Sequence, residues 1–200
     1  MITAQDVHIA KANWKDWISV FEYEGAVEKN PLLIYPGVFN KFLGEYSVHR
    51  TIRAGKSDEF RKALCSGNVG LSDKLSDSSG KGVDDLEELL RWDFGTMEGK
   101  RRMMSVISKI AAFLAPANFI AWDKFARKGI IRLRGRRATH TYKTYAEYLF
   151  DMNYLLDGEM KDSLESICQY NYPSQYSSMN NRFNRRVLDV YLMRIGGRWG

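Results

Sequence analysis

The 200-residue chain is 44% hydrophobic and 27% charged, with a formal net charge of +6 at pH 7. This is ordinary globular composition for one domain of one or two lobes, large enough to bury a core without disulfide or metal staples. The start, "MITAQDVHIAKANWKDW", carries no apolar leader, no apolar run is long enough to span a bilayer, and the two cysteines, Cys65 and Cys168, are far apart; a cytoplasmic protein with reduced thiols and no membrane partner is expected.

In chain order, residues 1–65 read as an N-terminal helical segment packing on the remainder. "AKANWKDWISVFEYEGAV" sets Trp14, Trp17, Ile18 and Phe21 at helical spacing, a core-facing stripe. In "NPLLIYPGVFNKFL", Pro31 and Pro36 predict an extended or turning start and a helix after Pro36. "SDEFRKALCSG" predicts a short helix with Ser57 as N-cap and Gly67 as stop. Residues 66–82, "SGNVGLSDKLSDSSGKG", read as a flexible Ser/Gly loop that divides the chain.

Residues 83–200 read as a helical core. "VDDLEELLRWDFG" predicts a helix with Val83, Leu86, Leu89 and Leu90 on one face and Gly95 as its stop. "KRRMMSVISKIAAFLA" predicts the next, with a stripe of Met103, Val106 or Ile107, Ile110 and Leu114, ended by Pro116. Asp123 is expected to cap a short helix, "KFARK", that stops at Gly129. "YKTYAEYLFDMNYLL" and "NRFNRRVLDVYLMRIGG" are two more amphipathic helices. In "GIIRLRG", Ile131 and Leu133 alternate with Arg132 and Arg134, the one hint of a hairpin strand. The predicted class is all-α.

Cofactor motifs are missing. His8, His49 and His140 occur in no metal-ligand spacing, and there is no phosphate-binding glycine loop and no GxGxxG after a strand. Neither cysteine has a setting that would activate it. Asp84, Asp85, Glu87 and Glu88 crowd into five positions, which reads as the solvated acidic start of a helix rather than a metal pair. No metal and no cofactor are expected.

Charge is distributed unevenly. Residues 1–98 hold 12 Lys and Arg against 16 Asp and Glu, and residues 99–200 hold 18 against 8. Such asymmetry either keeps a protein soluble or marks an anionic partner, of which nucleic acid is the commonest. Lys124, Arg127, Lys128, Arg132, Arg134, Arg136 and Arg137 are seven cations in fourteen residues with no acid among them. That density fits phosphate contacts. Arg182, Arg185, Arg186, Arg194 and Arg198 form a second set, with Tyr170, Tyr172, Tyr176 and Phe183 near it. Those rings suit stacking on unpaired bases, or core packing.

Lys109 falls beside the apolar stripe of its helix, flanked by Ser108, Ala111 and Ala112. Two readings are open. The lysine snorkels to water, or its apolar setting makes it a nucleophile.

"SKIAAFLAPANFIAWD" resembles the catalytic segment of the helix-hairpin-helix DNA glycosylases, in particular a compact prokaryotic branch related to 8-oxoguanine DNA glycosylase. Ser108–Lys109–Ile110–Ala111, then Pro116, then Asp123 follow the family's order, and "RRVLDVYLMRIGG" resembles its closing helix. The match is convincing over about 25 residues. The resemblance implies a two-lobed glycosylase-like helical bundle and cleavage of an N-glycosidic bond. Lys109 would attack the sugar carbon and leave a Schiff base. Asp123 would steady the developing positive charge. A flipped base would sit between the lobes, and the basic segment after Asp123 would hold phosphates. Links of the compact branch to antiviral defence are also implied. The family's tight Gly-x-Gly hairpin is absent, only Gly95 and Gly99 being present in "DFGTMEGKRRMMSVISK", and so is its N-terminal β-domain. Duplex DNA, single strands, or a free nucleoside or nucleotide therefore all stand as substrates. The alternative is a non-catalytic module that binds nucleic acid, a nucleotide or a protein partner.

Overall fold

The computed structural model describes residues 1–21, 30–96, 103–137, 141–169 and 180–199, without the side chains of 13–21, 169, 180 and 181. The described residues are helical and contain no strand, in keeping with the all-α expectation; one isolated bridge joins Ile52 and Gly95. The chain forms two compact units. The central unit is Val20–Ala121, and the terminal unit joins Met1–Ser19 to Trp122–Gly200. The expected boundaries, by contrast, lay at 65, 66–82 and 83.

In the central unit, helices α2 (Pro31–Ile34) and α3 (Pro36–Glu45) each begin on a proline, whose fixed φ and missing N–H suit a first helical residue. Asn30 caps α2, its Oδ1 accepting the Leu32 amide at 2.9 Å. Helix α4 (Ser57–Cys65) starts where expected, but Lys56 holds the N-cap position and Ser57 is the first helical residue.

The stretch read as a loop contains helix α5 (Leu71–Ser76). Its Ser and Gly content hid a short apolar stripe: Leu71 and Leu75, one turn apart, are buried, as is Val69. Helix α6 (Lys81–Phe94) packs backbone to backbone on α5 at Gly82, where a Cβ would stand 2.0 Å from the Lys74 carbonyl oxygen. On α6, Val83, Leu86 and Leu90 are buried as predicted, but Leu89 is 49% exposed. It lies about 100° around the helix from Leu90, on the outer side. Glu87 takes the inner position instead, its Oε1 accepting the Met103 amide at 2.9 Å at the entrance to helix α7 (Met104–Leu114). Helix α7 is buried nearly all round, Phe113 packing on Phe42 of α3 at 5.4 Å between ring centres.

In the terminal unit, helix α1 (Ala4–Phe21) buries Val7 and Ala10; the stripe expected at Trp14, Trp17, Ile18 and Phe21 lies outside the described side chains. Helix α8 (Lys124–Leu133) corrects two expectations, since it runs through Gly129 and occupies the stretch that hinted at a strand. Gly129 is a contact residue rather than a stop. A Cβ there would be 2.1 Å from the carbonyl oxygen of Leu192 in helix α11 (Asn180–Ile195), and one on Gly196 would be 1.9 Å from that of Phe125. Both glycines let the two backbones meet, while Ala126, Ile130 and Ile131 fill the buried side of α8. Between them lie α9 (Tyr145–Tyr154), capped by Thr144, a π-helical turn at Leu155–Glu159, and α10 (Lys161–Gln169). Asp6 of α1 is buried and takes a two-pronged bond from Arg194 of α11, at 2.8 and 2.9 Å.

Candidate functional site

Lys109 and Asp123 belong to different units. Lys109 is half-buried at the sixth position of the eleven-residue α7, whereas the family resemblance puts its lysine at a helix start. Its Nζ donates to the Tyr46 carbonyl at 3.0 Å and lies 5.8 Å from the centre of the Tyr46 ring. Tyr46 is the C-cap of α3. Helix C-termini leave carbonyls without amide partners and carry partial negative charge, so a lysine ammonium is well placed there. This structural role is neither of the two readings open from sequence: Lys109 caps a neighbouring helix.

Asp123 is the N-cap of α8, as expected. Its Oδ1 accepts the amides of Phe125 at 2.7 Å and Ala126 at 3.2 Å, and its Oδ2 lies 3.9 Å from Arg198. Both residues named as catalytic thus have structural work inside their own units.

The basic segment divides by exposure. Lys124, Lys128 and Arg132 are exposed and stand four residues apart, so they form one stripe along α8. Lys124, Lys128 and Arg137, also exposed, make no ion pair with a described residue. Arg132 reaches the Ile195 carbonyl at the end of α11. The other cations are engaged in the fold. Arg127 lies over the Trp122 ring at 4.3 Å; its burial lowers the guanidinium from the usual arginine value, against the opposing pull of Tyr148, Asp123 and Tyr142. Arg134 pairs with Glu159 at 3.2 Å and covers Tyr154 at 4.1 Å. Arg136 forks onto buried Asp151 at 2.7 and 2.9 Å.

In the second set, Arg182 is half-buried, Arg186 pairs with buried Asp189, and Arg185 is only 8% exposed. Arg194 serves Asp6, and Arg198 lies over Trp199 at 5.4 Å. Of the rings placed near this set, Phe183 is buried, while Tyr170, Tyr172 and Tyr176 lie outside the described residues.

Sequence reading missed the core of the terminal unit. Trp122 stands at 6.5, 6.3 and 5.3 Å, centre to centre, from Tyr142, Tyr145 and Tyr148. Tyr142 donates to Asp151 at 2.7 Å, and burial together with that bond pushes its hydroxyl far above the usual tyrosine value. Three tyrosines three residues apart in "TYKTYAEYLF", just before buried Asp151, were the available signal. Cys65 is exposed and Cys168 buried, burial pushing the latter's thiol up to about 12. His8 and His49 are exposed, and His140 lies outside the described residues.

Charge follows the same division. The terminal unit holds 16 Lys and Arg against 10 Asp and Glu, and the central unit 14 against 14, so the whole excess of +6 belongs to the terminal unit. No protein-family model, no curated protein and no solved structure matches the chain.

Proposed function

We propose that the terminal unit binds nucleic acid through its phosphates, using the exposed stripe of Lys124, Lys128 and Arg132 with Arg137 beyond it. One observation carries this reading: the entire charge excess sits in one unit, and three of that unit's exposed cations, Lys124, Lys128 and Arg132, line up on one helix. Cations spaced a helical turn apart, about 6 Å, match the spacing of phosphates along a strand. Binding to a DNA or RNA oligonucleotide should weaken linearly in log–log salt plots. Replacing the three stripe residues by glutamine should reduce the slope by roughly 2 to 3, at about 0.7 to 0.9 per phosphate contact. Fluorescence anisotropy across a salt series tests this; an unchanged slope contradicts it.

Cleavage of an N-glycosidic bond is the second reading. It is favoured by the half-burial of Lys109 on an otherwise apolar helix. It requires the Lys109 amine to leave the Tyr46 carbonyl and reach a sugar carbon. Borohydride trapping on an abasic or modified-base oligonucleotide tests it. An adduct that disappears in Lys109→Gln supports catalysis. Absence of any adduct, with binding intact, leaves a non-catalytic binding module.

A further inference from the structure

Among the described residues of the terminal unit, the large exposed apolar side chains after Met1 are all aromatic: Phe150 at 69%, Tyr154 at 45% and Trp199 at 50%. Phe150 and Tyr154 stand one turn apart on the outer side of α9, about 6 Å along its axis. Arg134, the C-cap of α8, lies over one face of Tyr154 at 4.1 Å. Tyr154 therefore adjoins the C-terminal end of the helix that carries the stripe, with Phe150 one turn away. Trp199 belongs to the other end. Arg198 is 5.4 Å from its ring centre and 3.9 Å from Asp123, the residue before Lys124. Charge beside the α9 rings is balanced. Arg134 pairs with Glu159 and Arg136 with Asp151, while exposed Arg137 and Lys143 stand against exposed Glu147 and Asp157. The rings thus offer flat apolar faces, and the stripe between the two ends supplies the charge.

We propose that this surface takes a single strand, its unpaired bases stacking on Phe150 and Tyr154 at one end of the stripe and on Trp199 at the other. The inference rests on the nucleic-acid reading and names the form of nucleic acid. An unpaired base has a free face, and an aromatic side chain stacks on it whatever the sequence. A duplex buries its base faces between neighbouring pairs and shows only edges in its grooves, so exposed flat rings find nothing there to stack on. The ten residues of α8 span about 15 Å, a few nucleotides of an extended strand. The core of a protein–protein interface gathers apolar residues and excludes charge. Here the exposed rings are set apart by cations, which suits a strand of alternating phosphates and bases.

Fluorescence anisotropy of the full chain with a single-stranded oligonucleotide, and with the duplex of the same sequence, tests it over a salt series. The wild type should hold the single strand about tenfold more tightly than the duplex. Phe150→Leu keeps an apolar side chain at an exposed position and removes the ring. It should weaken single-strand binding about tenfold and leave duplex binding unchanged. The salt slope should not move, because a ring neutralises no phosphate. Phe150→Trp should bind the single strand as tightly as the wild type or more so. Trp199→Leu reports on the other end in the same way. Unchanged single-strand affinity in either leucine variant overturns stacking at that end. Duplex preference in the wild type overturns the proposal outright, while a slope reduced by glutamine at Lys124, Lys128 and Arg132 still upholds phosphate binding. No salt-dependent binding to either form overturns both readings. If Phe150→Leu abolishes self-association in sedimentation and leaves single-strand binding intact, the α9 rings are an interface between copies and the proposal is overturned.

Discussion

The central unit neutralises itself where the terminal unit does not. In the central unit, Lys41 pairs with Glu45, Lys56 with Glu59 and Lys62 with Asp58, each three or four residues away on or beside its own helix. In the terminal unit no acid occurs between Lys124 and Arg137, and Arg134 and Arg136 reach other elements for their carboxylates. Exposed pairs at helical spacing contribute little to stability, so the central pattern serves mainly to leave no net field. The terminal pattern leaves one. Packing, by contrast, follows one device in both units: helices meet backbone to backbone at a glycine, Gly82 in one and Gly129 and Gly196 in the other.

That shared device gives the largest expected effects. Gly129→Ala places a methyl group 2.1 Å from a backbone oxygen that cannot move alone. It should cost about 3 kcal/mol, and Gly82→Ala should cost a similar amount. Gly37→Ala, with nothing within 4 Å of its Cβ, should be neutral or slightly stabilising. Chemical denaturation checks all three. A cost at Gly129 no greater than that at Gly37 would break the packing half of the comparison.

A smaller effect is expected at the Asp6–Arg194 clamp of the terminal unit. Burial acts to raise the Asp6 carboxyl, but bonds from Arg194 and Thr3 outweigh it and hold the group below its ordinary value. A carboxylate with a lowered folded value stabilises above the unfolded value of about 4 and loses that contribution as pH falls through the folded value. Asp6→Asn should therefore cost about 2 kcal/mol at neutral pH and flatten the acid limb of the stability curve. An acid limb identical to that of the wild type would contradict the clamp. The smallest effect belongs to the central unit. Lys109→Gln loses the cap on α3 and should cost about 1 kcal/mol, leaving oligonucleotide binding unchanged.

Long, strongly periodic helices were legible in the sequence: α6, α7 and α11 appear where apolar spacing put them, with Asp123 capping α8 and Pro116 following α7. Four features were not legible, each for a physical reason. Helix α5 is six residues long, so two buried leucines carry it and its composition reads as loop. Gly129 reads as a stop because sequence cannot tell a glycine chosen for backbone conformation from one chosen for close approach. Lys109 read as either a snorkelling or a reactive lysine because its partner, the Tyr46 carbonyl, is 63 residues away in the chain. Similarly, seven clustered cations read as one patch, yet Arg127, Arg134 and Arg136 turn to Trp122, Glu159 and Asp151, leaving the exposed stripe.

Moving the same charge change between units tests the central claim most directly. One variant carries glutamine at Lys124, Lys128 and Arg132, and the other at the exposed central-unit lysines Lys41, Lys62 and Lys81. Both lose three positive charges. Oligonucleotide affinity measured over a salt series should lose roughly 2 to 3 from its log–log slope in the first variant and keep it in the second. Equal losses in the two variants, or no salt-dependent binding by the wild type, would contradict a nucleic-acid surface on the terminal unit.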